Sequence, residues 1–372
     1  MPLRTVPIVP GEQKGDCVHP ISMVFFHGGA GFCGREEKED TAGVFRLPES
    51  FRFPHRTGDG KRLPLREKDK GKDRMGPAGN TGSAGLPGGE NMISFRELTE
   101  ADQAWITACR DPGVHPFTAL SFTSLFSWRR NYGLTVGGEP DFFVIRSLHD
   151  GAYYGPCGDP EKCRSFVRET LREEKHPHFL YLTKEQAQTM EQEGLHIVMR
   201  DDLSEYIYDV SSLALREGHH VAHSYKKKVH QFRNRIPYTV RPATAEDREL
   251  LTAIAESASL RTDFQDEQVW QTEMACFEQL ELTGCVLETE DGRHAFNLGY
   301  PDHGDVFTLT MAKHEESLPS EVTAVMVCEL AGMLEGRYRL VNMEEDLGLA
   351  GLRRAKLLYT PVDRLNVYEA IG

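Results

Sequence analysis

The sequence predicts an α+β protein made of two similar units, preceded by a segment of different character. Three observations lead there: a change of composition near Met92, an internal echo at a constant offset of 145 residues, and a similar order of strands and helices after each copy of the echo. The chain has 372 residues, of which 27% are charged and 39% hydrophobic, which leaves room for two domains. Its formal charge of −14 argues against a fold that coats nucleic acid by charge alone. No stretch approaches the roughly 20 apolar residues of a membrane-spanning helix, and the opening MPLRTVPIVPGEQKG has no compact apolar run of a secretion signal. The eight cysteines are scattered, as expected of reduced thiols in a cytoplasmic protein rather than a disulfide framework or a zinc ribbon.

Residues 1–91 hold 16 of the 34 glycines and 9 of the 20 prolines, and carry 14 basic against 12 acidic residues. Such a stretch buries too little apolar surface to offset chain entropy, so the expectation is disorder. Gly88-Gly89-Glu90 just before Met92 can be encoded by a purine-rich ribosome-binding site, so translation is expected to start at Met92 with 1–91 a mis-called upstream region. The Gly29-Ala30-Gly31-Phe32-Cys33-Gly34 run reads as chance in glycine-rich sequence, because charged and proline-broken sequence follows it instead of a βαβ unit.

After Met92, Phe95-Arg96-Glu97-Leu98-Thr99-Glu100-Ala101-Asp102 is echoed by Val240-Arg241-Pro242-Ala243-Thr244-Ala245-Glu246-Asp247. In each copy a short strand precedes a Thr-x-x-Asp capping box, in which the hydroxyl takes a first-turn amide and the acid reaches back. Helical positions follow at Trp105, Ile106 and Cys109, and at Leu250, Leu251 and Ile254. The first copy continues with a helix over Leu120–Tyr132 and strands at 142–145 and 178–182. The second has strands at 284–287, 293–299 and 305–310, then a helix from about Ser320 to Leu334 stopped by Gly336. Domains of 92–237 and 238–372 are therefore expected, each with the element order of an N-acetyltransferase-like (GNAT) unit. A coenzyme-A user of that kind opens its central helix with a glycine-rich loop whose amides hold pyrophosphate. Here the junction reads Ala312-Lys313-His314-Glu315-Glu316-Ser317-Leu318-Pro319-Ser320, without glycine.

Two segments carry candidate chemistry. In 219–235, Lys226, Lys227, Lys228, Arg233 and Arg235 form either an anion-binding patch or the solvated face of an amphipathic helix with Tyr225, Val229 and Phe232 inward. His219 and His223 are four apart, but no carboxylate completes a metal site, so no metal is expected. In 341–361, Glu344, Glu345 and Asp346 precede a short helix carrying Arg353, Arg354 and Lys356. That is either a helix charged to suit its own dipole or a set of acids placed to bind an amine or act as a base.

The latter run, with Leu120-Ser121-Phe122-Thr123-Ser124-Leu125-Phe126-Ser127-Trp128-Arg129-Arg130-Asn131-Tyr132-Gly133, Tyr154-Gly155-Pro156-Cys157-Gly158 and Tyr206-Ile207-Tyr208-Asp209, resembles the family of the phosphatidylglycerol lysyltransferase C-terminal domain over residues 92–372. The resemblance implies tandem GNAT-like domains and a soluble bacterial transferase moving an aminoacyl group from aminoacyl-tRNA to an amine or hydroxyl acceptor. It implies Glu344, Glu345, Asp346, Arg353 and Lys356 as catalytic. Lys226, Lys227, Lys228, Arg233, Arg235 and Lys313 would bind substrate, with tRNA or an anionic lipid headgroup as partner. The ester is already activated, so no cofactor is implied. Where the family tends to H-F-E-K this chain has Thr310-Met311-Ala312-Lys313, which keeps open a non-catalytic module that senses an amino acid or lipid headgroup. An acyl-coenzyme-A-dependent N-acyltransferase is the remaining alternative.

Overall fold

The computed structural model describes residues 93–259 and 266–372, so the expectations for 1–91 and for a start at Met92 lie outside the described residues. The first half contains β1 (Arg96–Glu97), α1 (Gln103–Cys109), α2 (Phe122–Tyr132), β2 (Leu134–Glu139), β3 (Phe142–Ser147), β4 (Tyr153–Gly158), α3 (Pro160–Glu173), β5 (His178–Leu182), α4 (Lys184–Gln192) and β6 (His196–Asp209). α5 (Val210–Leu213) and α6 (His223–Arg235) lead into the second half. There follow β7 (Tyr238–Pro242), α7 (Arg248–Ser259), α8 (Glu267–Ala275), β8 (Thr283–Thr289), β9 (His294–His303), β10 (Val306–His314), α9 (Glu321–Leu334), β11 (Leu340–Asn342), α10 (Ala350–Leu358) and β12 (Asp363–Ile371).

The echo is structural as well as sequential. The Thr99 amide donates to Asp102 at 2.8 Å and the Thr244 amide to Asp247 at 2.9 Å. Each acid also receives a two-pronged guanidinium from the strand before it, Arg96 in one copy and Arg241 in the other. Both strands lie at the outer edges of one sheet, whose order is β1-β2-β3-β4-β5-β12-β6-β11-β10-β9-β8-β7. Each half has one parallel pair, β4 with β5 and β10 with β11, in an otherwise antiparallel run. The halves exchange their last strands. β6 pairs with β11 of the second half, and β12 returns to lie between β5 and β6 of the first.

Both faces of the sheet are covered, which is why β3 reads as an unbroken apolar run: Phe143 and Ile145 join one cluster, Phe142 and Val144 another. The first cluster is continuous across both halves, joining Leu125 and Phe126 of α2 to Leu251 of α7 and Trp270 of α8. On the opposite face α3 and α4 cover the first half, and α6, α9 and α10 the second. Ten of the 14 residues of α9 are buried. At roughly 1.5–3 kcal/mol for each large apolar side chain, that helix is a principal anchor of the second half. α2 begins two residues later than the sequence suggested. Thr118–Leu120 forms a separate 3-10 turn, and the Ser121 hydroxyl caps α2 by accepting the Ser124 amide. No helix among the described residues is long and apolar enough to cross a membrane.

Candidate functional site

β10 and β11 pair only from Val306/Leu340 to Thr308/Asn342; β10 then continues to His314 while the chain turns away after Asn342. The fork between them holds the Glu344-Glu345-Asp346 turn. Glu344 and Leu347 adopt left-handed φ values of +59° and +52°. Each costs about 1–3 kcal/mol in a residue with a Cβ, a cost that the turn's hydrogen bonds must offset. Those bonds are specific. The Glu344 amide donates to Asn342 Oδ1 at 2.8 Å and the Glu344 carbonyl accepts the Tyr206 amide at 3.1 Å. Asp346 accepts the Tyr206 hydroxyl at 2.5 Å, the Gly348 amide at 2.8 Å, and Arg353 through Nε at 2.7 Å and Nη2 at 3.0 Å. Asp346 and Arg353 thus clamp the turn to α10 and β6, and Arg353 also reaches Asp201.

The side chains held by this clamp are almost fully enclosed. Glu344, Glu345 and Lys356 are at most 2% exposed, and the Lys356 ammonium donates to the Met343 carbonyl. Neither carboxyl oxygen of Glu344 has a hydrogen-bond partner among the described residues. Two further buried acids face the same space. Glu205 of β6 accepts the Thr118 amide and hydroxyl, each at 2.9 Å, and Asn342 Nδ2 at 2.6 Å. Glu273 of α8 accepts the Thr310 hydroxyl at 3.3 Å on one oxygen only. Burial drives the titration of the group. It lifts Glu344 well above the usual carboxylate range, helped by the charge of Glu345 and opposed by Lys356. It lifts Glu205 and Glu273 to about 7 each, and pulls Lys356 down to about 8 against the attraction of the neighbouring acids. Four carboxyls stand around the Lys356 ammonium, and because burial keeps protons on Glu344, Glu205 and Glu273, a cationic guest would draw out their charge as it binds.

A groove of about 880 Å3 runs between α1 and α2 of the first half and the β9–β10 hairpin of the second, and neither the four acids nor Lys356 line it. Its wall includes Tyr300, whose hydroxyl is 2.9 Å from Ser121 Oγ and whose ring lies within electrostatic reach of Glu344. Arg110 and Asp302 line the same groove and form a buried two-pronged ion pair between the halves. Burial alone would raise Asp302, but Arg110 and His303 prevail and hold it at about 2.

The structure brings Glu344, Glu345, Asp346, Arg353 and Lys356 together, keeps Lys313 within electrostatic reach of Glu273, and sets the basic candidates of α6 elsewhere. α6 turns Tyr225, Val229 and Phe232 inward and presents Lys226, Lys227, Lys228, Arg233 and Arg235 on its other faces. Tyr225 stacks edge-on against Tyr359 just beyond α10, so the amino end of α6 is next to the helix that carries Lys356. Arg233 is held by Glu329 at 2.7 Å. Lys313 is buried, with its ammonium 2.6 Å from Asp266. Sequence reasoning missed Glu205, Glu273 and the Arg110–Asp302 pair. The first two left a signal, an acid inside the buried stretch Leu203–Tyr208 and an acid among the apolar positions Val269, Trp270 and Met274 of one helix; the pair, distant in sequence, left none. At the first helix after a central strand, Asp159 Oδ1 accepts the amides of Glu161 and Lys162, both at 3.0 Å, in competition with any phosphate at that terminus.

The model of the family described as phosphatidylglycerol lysyltransferase, C-terminal, matches residues 114–371. A search of curated proteins finds no match. Among solved structures, a conserved protein of unknown function from Bacteroides thetaiotaomicron is 27% identical, with a TM-score of 0.66, over 75% of this chain and 99% of that one. The C-terminal domain of a putative lysylphosphatidylglycerol synthetase from Agrobacterium fabrum is 13% identical over 66% of this chain and 86% of that one, with a TM-score of 0.50. FemX is 9% identical over 74% of this chain and 96% of that one, with a TM-score of 0.51. The sheet order and these likenesses give the fold as tandem GNAT-like.

Proposed function

This chain belongs to the phosphatidylglycerol lysyltransferase C-terminal family, and from that premise we propose that it transfers an aminoacyl group from aminoacyl-tRNA to an amine or hydroxyl acceptor. The observation that carries the reading is the surplus of buried carboxyls around Lys356 at the β10–β11 fork. An aminoacyl ester brings an ammonium, which Glu344 and Glu345 receive. Its carbonyl develops negative charge when the acceptor attacks, and the Lys356 ammonium stabilises that charge in a low-dielectric setting. The C–O bond to the tRNA ribose breaks, the ribose hydroxyl leaves with a proton, and the new bond forms to the acceptor nitrogen or oxygen. Asp346 and Arg353 are positioning residues that fix the strained turn. Lys226, Lys227, Lys228 and Arg235 track the tRNA backbone, with Arg233 and Lys313 held by Glu329 and Asp266 as supports of that surface and of the fork. The division into units 92–237 and 238–372 underlies this reading, because the buried acids come from both, Glu205 from the first and Glu273, Glu344 and Glu345 from the second.

The replacement at Thr310 and Ala312 favours a second reading, a module that binds the same ammonium without turnover. Incubating the full-length protein with radiolabelled aminoacyl-tRNAs and a bacterial extract separates the two. A labelled product that vanishes with Lys356→Met supports transfer. Saturable binding of charged tRNA or amino acid without product supports the sensor.

A further inference from the structure

β4 and β5 pair only at Tyr153/Phe179 and Tyr154/Leu180, and beyond that point a cavity of about 290 Å3 opens between α3 and α4. It shares no lining residue with the groove that leads to Tyr300. Pro156, Val167, Leu182 and Met190 form apolar walls, and polar side chains, Thr189 and Gln186 among them, share the lining.

One polar group is His115, which is 4% exposed. The Thr183 amide donates to Gln186 Oε1 at 2.8 Å, so the amide nitrogen of Gln186 is what faces His115 Nδ1 at 3.3 Å. Nδ1 therefore accepts, and the imidazole proton sits on Nε2, which has no hydrogen-bond partner among the described residues. Burial, reinforced by the charge of Arg110, holds this histidine down at about 4, so the ring is neutral at pH 7. The charged groups stand at the lip. Arg164 and Arg168 are one turn apart on α3; Arg164 is held by Glu161, while Arg168 has no ion-pair partner among the described residues. Glu193 stands on the α4 side of the rim. The amides at the start of α3 are engaged by Asp159, so an anion here is met by the guanidinium and the imidazole N–H rather than by a helix terminus.

We propose that this cavity is a second binding site, for a compact carboxylate with an apolar body: Arg168 pairs with the carboxylate at the lip, His115 offers its Nε2–H, and the apolar walls enclose the tail. One guanidinium and one neutral donor match a single carboxylate better than a pyrophosphate. The volume equals about ten water-sized groups at roughly 30 Å3 each, so the tail has on the order of eight carbons.

Titration calorimetry of the full-length protein with octanoate, below its micellar range, tests this. Saturable one-site binding is expected, at least tenfold weaker for octan-1-ol and for Arg168→Glu. Because Arg168 is exposed, that variant keeps the fold, which its unfolding midpoint checks. Val167→Trp, which fills the cavity, is expected to abolish binding. Leucine carries the same carboxylate with an ammonium beside Glu193. If it also binds and loses binding with Arg168→Glu, the ligand is an amino acid; if it fails where octanoate succeeds, the ligand is a simple carboxylic acid. Absence of saturable octanoate and leucine binding, or equal affinity of octanoate and octan-1-ol, overturns the proposal.

Discussion

Replacing Glu273 by glutamine removes one titratable group from the buried cluster while keeping the shape and the acceptor that receives the Thr310 hydroxyl. Burial raises this carboxyl from its ordinary 4.5 to about 7 in the folded protein. Between those values the folded state holds a proton that the unfolded chain releases. The stabilising contribution is therefore complete below about pH 4.5 and is lost as pH rises through about 7. A shift of that size corresponds to about 3 kcal/mol at about 1.4 kcal/mol per pH unit. Glutamine cannot lose a proton, so the variant escapes the loss. Relative to wild type it is expected to gain about 3 kcal/mol between pH 4.5 and pH 8, or about 1 M in urea midpoint for a slope of about 3 kcal/mol per M. Urea unfolding of both proteins at half-unit steps over that window measures it. Stability curves that run parallel across the window would mean that Glu273 ionises as it does in water, and the enclosed acid cluster would then be wrong.

Arg110→Ala leaves Asp302 charged, buried and deprived of its main partner, and is expected to cost about 3–5 kcal/mol in urea unfolding. Lys226→Glu combined with Lys227→Glu is expected to lower the slope of log affinity for tRNA against log salt by about 1.5, since each lost phosphate contact accounts for about 0.7–0.9. Asp346→Asn weakens the grip on Arg353 and Tyr206, and is expected to slow transfer at unchanged tRNA affinity, read as kcat against KM. With a hydroxyl acceptor, transfer is expected to decline as pH rises through about 8, where Lys356 loses its charge; a rate that stays flat to pH 10 argues against a cationic role.

Much of this architecture was legible because repeated local chemistry leaves repeated letters. The Thr-x-x-Asp boxes at Thr99 and Thr244 are short-range devices, and the structure places both at equivalent edges of the sheet. The inward face of α6 followed from the spacing of Tyr225, Val229 and Phe232. Strand exchange was not legible. Nothing local in Asp363–Ile371 says that it pairs with β5 and β6 rather than with its own half, because partner choice is settled by tertiary packing. The same limit governs the site. The acids at 344–346 were visible as a dense run, but the partners that fix them, above all Tyr206 of β6, are far away in sequence. Lys313 was expected to bind substrate, and its pairing with Asp266, 47 positions upstream, left no local sign in the sequence.

The central claim is that the buried acids at the fork receive the ammonium of an aminoacyl group. The direct measurement compares the affinity of the full-length protein for a charged tRNA with that for the same tRNA uncharged, in wild type and in Glu344→Gln. The account predicts that charging tightens binding in wild type because Glu344 gives up its proton beside the incoming ammonium, and that the variant, which has no such proton to give, loses most of this difference while holding uncharged tRNA as before. Equal affinity for charged and uncharged tRNA in wild type, across the amino acids tried, would contradict it.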